Sequence, residues 1–129
     1  MKRSLILIPI LFAVLSFVVF AQSPSLTITG HPAPTTILYA GSITGNLTVT
    51  ANATGGAALS YQWFRSTSNS NAGGTAIAGA TGASMPIPLD LMPGAHFFFS
   101  EVSAVGAVAP IRSNVATVMV FEFDEDCEL

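Results

Sequence analysis

A single tryptophan, Trp63, stands at the centre of Leu59-Ser60-Tyr61-Gln62-Trp63-Phe64-Arg65, and this stretch constrains the fold more than any other. Aromatic side chains favour pleated, half-buried backbone. An indole also removes a large apolar surface from water and so belongs in a core. The stretch therefore reads as a buried central strand, with Trp63 as the plug between two facing sheets. The chain has one cysteine, Cys127, so no internal disulfide can tie the layers together. Packing alone must hold them.

The rest of the chain agrees with an all-β reading. Ser25 to Thr29 alternates apolar and polar residues, the period of a half-buried strand. Gly30-His31-Pro32-Ala33-Pro34 interrupts it, since proline fixes φ and removes a donor. Thr35 to Tyr39 is expected as a short edge segment. Ser42 to Ala51 follows as a strand with Leu47, Val49 and Ala51 on one face. After a turn at residues 52–56 comes the Trp63 strand. Residues 66–82 are rich in Ser, Asn, Gly and Ala and predict a long connection, with a weak edge strand near Thr75 to Ala78.

Met85, Ile87 and Leu89 alternate with Pro86 and Pro88. Two prolines two residues apart lose their donors on the same side, so that side predicts an edge with little ladder. Asp90 to Gly94 is a turn, His96 to Val105 an aromatic and β-branched strand, and Gly106 to Pro110 a hairpin loop. Val115 to Phe123 is the last long strand. About seven short strands parted by turn residues predict an antiparallel β-sandwich.

The first residues have a different character. Lys2 and Arg3 precede an apolar run from Leu5 to Phe20, and Ala21-Gln22-Ser23 follows with small and polar side chains. Charged, apolar and cleavable regions in that order describe a secretory signal peptide over residues 1–21. Pro9 and the polar residues after Ala21 favour cleavage over an uncleaved membrane anchor. The expectation is an exported protein, secreted, periplasmic or on the cell surface, with one domain over 22–121 and an acidic tail over 122–129. Without the first segment, Arg65 and Arg112 alone face seven acidic side chains. Such a chain is a poor partner for nucleic acid, which is bound largely by neutralising phosphate.

Four pieces of the chain resemble bacterial immunoglobulin-like domains. They are Tyr61-Gln62-Trp63-Phe64-Arg65, Gly73-Gly74-Thr75-Ala76-Ile77-Ala78-Gly79-Ala80-Thr81, Gly94-Ala95-His96-Phe97-Phe98 and Ser113-Asn114-Val115-Ala116-Thr117-Val118. The resemblance runs from about Leu26 to Val120. It implies an immunoglobulin-like sandwich without a disulfide, with Trp63 at the tryptophan position of that fold. Ala51 and Phe98 fall where other members carry paired cysteines, so packing would replace the bridge. His96 falls at the corner tyrosine position, where an imidazole N–H could still reach a backbone carbonyl. The family's roles are adhesion, spacing and ligand binding, with no shared active site.

Chemistry-bearing residues are sparse. The possible bases are His31 and His96, and before the tail the only acids are Asp90 and Glu101. No nucleophile, base and orienting group are spaced for catalysis, so no enzyme activity is expected. Two separated histidines and one cysteine form no zinc spacing. The tail Asp124-Glu125-Asp126-Cys127-Glu128 clusters oxygens, but calcium needs six to eight in fixed geometry. A solvated tail, no metal and no cofactor are expected. Cys127 is expected as a free thiol, the alternative being a link between two chains. Asn46-Leu47-Thr48 and Asn52-Ala53-Thr54 match the glycosylation pattern, by chance in a bacterial-type chain.

The aromatic residues offer a candidate site. If Trp63 and Phe98 point inward, alternation turns Phe64, Phe97 and Phe99 outward. The last strand would add Met119 and Phe121, giving one exposed apolar patch. Such patches mark partner sites. The expected function is a non-catalytic module for protein interaction, adhesion or cell-surface architecture. The partner would be a protein or cell-surface ligand, or a second copy of the chain. The alternative is a carbohydrate-binding sandwich that uses the same rings as a sugar platform.

Overall fold

The computed structural model describes residues 22–126, and the expected signal segment and Cys127 lie outside them. In chain order the strands are β1 (Leu26–Gly30), β2 (Thr35–Tyr39), β3 (Asn46–Thr48), β4 (Thr50–Ala53), β5 (Leu59–Ser66), β6 (Thr75–Ala76), β7 (Ser84–Pro86), β8 (Gly94–Ala104), β9 (Ile111–Arg112) and β10 (Ala116–Phe121). One 3-10 turn, Thr54–Gly56, joins β4 to β5, and no described residue is α-helical.

The strands form a two-layer β-sandwich. The larger layer has the order β2-β10-β8-β5-β6, with β9 also paired to β8. The smaller layer consists of β1 on β4 and β3 on β7. β3 and β4 are consecutive pieces of one extended run, parted at Val49, whose N–H donates to Ala83 O instead. All pairings are antiparallel except β10 with β2, which run parallel and place Met119 beside Ile37 and Phe121 beside Tyr39. That parallel contact follows from the break at Gly30 to Pro34. The chain leaves the smaller layer there and crosses to the edge of the larger one.

Between the layers lies one core. Trp63, Phe98, Val102, Ala116, Val118 and Val120 enter it from the larger layer, and Leu47, Val49, Ala51, Met85 and Ile87 from the smaller. Trp63 and Phe98 are fully buried, and Ala51 is nearly so. The indole N–H donates to Gly82 O at 2.9 Å, so the one polar atom of the plug is satisfied. Its backbone is held as well, since Trp63 N donates to Ala80 O and Trp63 O accepts from Ile77 N. The 77–82 segment is thereby laid along β5.

The paired prolines act as their spacing predicts. Ile87 N, between Pro86 and Pro88, donates to Gly45 O, so the two missing donors face away from β3. β7 pairs only with β3, and the proline side is the open edge of the layer. The strand is shorter than expected: Met85 and Ile87 are buried, but Leu89 is 77 % exposed, past the point where the chain leaves the layer.

The last strand is also broken, into β9 and β10, at Ser113-Asn114-Val115. Side chains satisfy the freed backbone there. Ser113 Oγ accepts from Ser100 N at 2.9 Å and donates to Asn114 O. Asn71 Nδ2 donates to Ser113 O, and Asn114 N donates to His31 Nδ1. A bulge of this kind survives because these freed backbone groups find side-chain partners.

His96 lies at the start of β8. Its Nε2 is 2.6 Å from Met92 O, four residues upstream, and its Nδ1 is 3.0 Å from Arg65 Nη2. Arginine can only donate, so Nδ1 accepts and Nε2–H is the donor to the carbonyl. The imidazole thus makes the backbone contact expected of it.

Candidate interaction face

The outer surface of the larger layer, opposite the core, is where alternation sends the second set of aromatic side chains. It divides into a covered half and an open half.

The covered half is built on β5 and β8. Their antiparallel register sets Phe64 directly opposite Phe99, and the two rings stack with centroids 5.2 Å apart and planes 2° from parallel. The Arg112 guanidinium carbon lies 5.1 Å from each ring centroid. Its Nε donates to Glu101 Oε2 at 2.8 Å, and Nη1 donates to Asn71 O and Gly73 O at 2.7 and 3.0 Å. One side chain therefore joins the aromatic pair, a carboxylate and the connection after β5. Cation–π attraction and charge-assisted hydrogen bonds act together in it.

Gly74 completes the cover. Its φ is +85°, and a Cβ placed there would lie 3.0 Å from two ring carbons of Phe99 and 3.2 Å from Arg65 O. Only glycine allows this close passage. As a result Phe99 is fully buried and Phe64 half-buried. The expectation that Phe99 is exposed is corrected. Its side chain points outward as alternation requires, but the connection folds back over it, and composition alone gave no sign of that.

The open half is built on β10 and β2. Met119 and Phe121 point outward from β10, and Ile37 and Tyr39 point outward beside them from β2. Ile37, Tyr39, Phe121 and Phe123 are all at least 45 % exposed, while Met119 and Phe97 are half-buried. Tyr39 is the hub, with its ring centroid 6.4 Å from that of Phe121 and 6.5 Å from that of Phe123. Of the five residues expected in one patch, the structure brings Met119 and Phe121 into the open half, with Phe97 nearer the middle of the sheet. Phe64 and Phe99 form the covered pair.

Ile37, Tyr39 and Phe123 were not anticipated. Thr35 to Tyr39 carries the right alternation, but its neighbour in the sheet is more than seventy residues away in the chain. Local pattern says which residues share a face, not which strand that face adjoins. Several apolar side chains in contact on a solvated sheet face form the kind of patch that marks a partner site.

Elsewhere the surface offers little chemistry. A cleft of about 240 Å³ lies between the 77–82 segment and β7, lined by Ile77, Ala80, Thr81, Met85, Pro86 and neighbours. None of its lining residues is ionisable. Among the described residues, no three His, Cys, Asp or Glu side chains are grouped to hold a metal ion.

Comparison with known proteins finds no curated protein that matches the chain. Residues 27–122 match a family model described as a domain of unknown function, DUF8696. The match takes in both layers of the sandwich and all of the outer face except Phe123, and the chain therefore belongs to the DUF8696 family.

Proposed function

We propose that this protein is a non-catalytic, exported immunoglobulin-like module that binds a protein partner through the open half of its outer sheet face. The observation that carries the reading is the contiguous exposed set Ile37 and Tyr39 on β2, Phe121 at the end of the neighbouring β10, and Phe123 just past that end with its ring against Tyr39. Exposed apolar side chains in contact with one another are costly to leave in water unless a partner covers them. The buried Trp63 on a central strand and the His96 contact to Met92 O support the immunoglobulin-like assignment. The charged, apolar and small-residue order of residues 1–23 supports export to the envelope or beyond.

A sugar platform is less well supported. Rings that stack on sugars need faces that present flatly to the ligand, whereas Phe121 and Phe123 lie at 45° and 85° to Tyr39.

Photo-cross-linking in the native cell envelope tests the reading. A cross-linking residue at position 39 is expected to form a discrete adduct that the additional change Phe121→Ser abolishes. A cross-linker at Thr27, exposed on β1 in the other layer, is expected to form none. No adduct at 39, or the same adduct from 27, would overturn the proposal.

A further inference from the structure

The open face does not stand alone: a run of carboxylates borders it on one side. Glu122, Asp124, Glu125 and Asp126 are all exposed and follow directly from Phe121, with Phe123 among them. The backbone turns back at this point, Asp126 N donating to Asp124 Oδ1 at 3.0 Å. The sheet face itself carries no charge, its outward residues on β2 and β10 being Thr35, Ile37, Tyr39, Thr117, Met119 and Phe121.

The cations among the described residues are both committed elsewhere. Arg112 is held by Glu101, Asn71 and Gly73 over the covered half, and Arg65 is held by His96 on the core side of β5.

Resting on the reading of this face as a partner site, we infer that its occupant is a different protein, whose contact surface is apolar and edged with lysine or arginine, and not a second copy of this chain. A two-fold contact on the open half would bring two acidic borders into one interface. Each border would meet the other border or an uncharged sheet, with no free cation among the described residues to offset the repulsion. A partner with a basic edge meets the same apolar surface with complementary charge, which speeds encounter and selects among apolar competitors. The aromatic side chains supply the contact area, and the carboxylates supply the discrimination.

Two amphipathic peptides with the same apolar residues, one carrying lysines and one glutamates at its polar positions, test this with the purified protein. The lysine peptide should bind about tenfold more tightly at low salt, from several weak exposed charge contacts acting together. That preference should fall to about twofold or less in the variant E122Q/D124N/E125Q/D126N, and in about 1 M salt, where screening is nearly complete. F121S should weaken both peptides alike while leaving Trp63 fluorescence native.

Equal binding of the two peptides, or a preference that survives neutralisation, would overturn the inference of a basic partner. So would sedimentation of the wild type as a dimer that Phe121→Ser dissociates, which would leave the face intact as a partner site. If Phe121→Ser changes neither peptide, the face itself is not the site, and both proposals fail.

Discussion

Phe64 and Phe99 lie face to face across β5 and β8, 5.2 Å between centroids and 2° between planes, with Arg112 over both rings. This stack divides the outer sheet surface. On its side the connection after β5 is drawn down, so that Phe99 is fully buried and Phe64 half-buried. On the other side nothing in residues 22–126 covers Tyr39, Phe121 and Phe123.

Removing the clasp should therefore be costly for a surface arginine. Arg112→Ala deletes the stacking and the bonds to two carbonyls, and it leaves Glu101, which is 24 % exposed, without its partner. A loss of about 2–3 kcal/mol is expected in urea unfolding followed by Trp63 fluorescence. Arg112→Lys should recover only a minor part, because an ammonium cannot stack flat on the rings while reaching three acceptors.

Gly74 and Gly41 separate two reasons for needing glycine. Both have φ near +80°, but a Cβ at Gly41 meets nothing within 4 Å, whereas one at Gly74 meets Phe99. Gly41→Ala should cost about 1 kcal/mol from backbone conformation alone. Gly74→Ala should cost about 2–4 kcal/mol, since Phe99 must also move. Equal losses in thermal unfolding would show that the ring contact carries no weight.

Two serines facing each other across the break in the last strand should respond in opposite directions. Ser100 Oγ is buried without a hydrogen-bond partner, so Ser100→Ala should leave stability unchanged or raise it by about 0.5–1 kcal/mol. Ser113 Oγ is the acceptor for Ser100 N. Ser113→Ala orphans that buried N–H and should cost about 1–3 kcal/mol. Chemical denaturation of the two single variants checks the pair.

The neutral imidazole of His96 should be the Nε2–H tautomer, because Nδ1 faces Arg65 and Nε2 faces Met92 O. Nitrogen chemical shifts of the ring will show this directly. In Arg65→Met the constraint on Nδ1 is lost while the Met92 contact remains, so the same tautomer should persist with a less restricted ring.

The layers and their filling were legible in the chain itself. Period-two alternation depends only on strand geometry, and a lone tryptophan in a β-favouring stretch has few places to go. That reasoning reached Trp63 in the core, the proline edge of β7 and the outward set on β8 and β10, while the core places of Phe98 and Ala51 followed from the resemblance to immunoglobulin-like domains. The broken last strand was harder to see. Its break depends on Ser100, Asn71 and His31 arriving from distant parts of the chain to satisfy it.

Which outward residues stay in water was decided only in three dimensions. Phe99 and Phe121 read alike in sequence, both outward aromatic residues on neighbouring strands. One is buried because Gly74 and Arg112 happen to fold over it. The other gains an exposed companion, Tyr39, because a parallel pairing brings β2 beside β10. Alternation is a local property of the backbone, whereas cover and company depend on contacts between residues far apart in the chain, and those exist only once the layers have assembled.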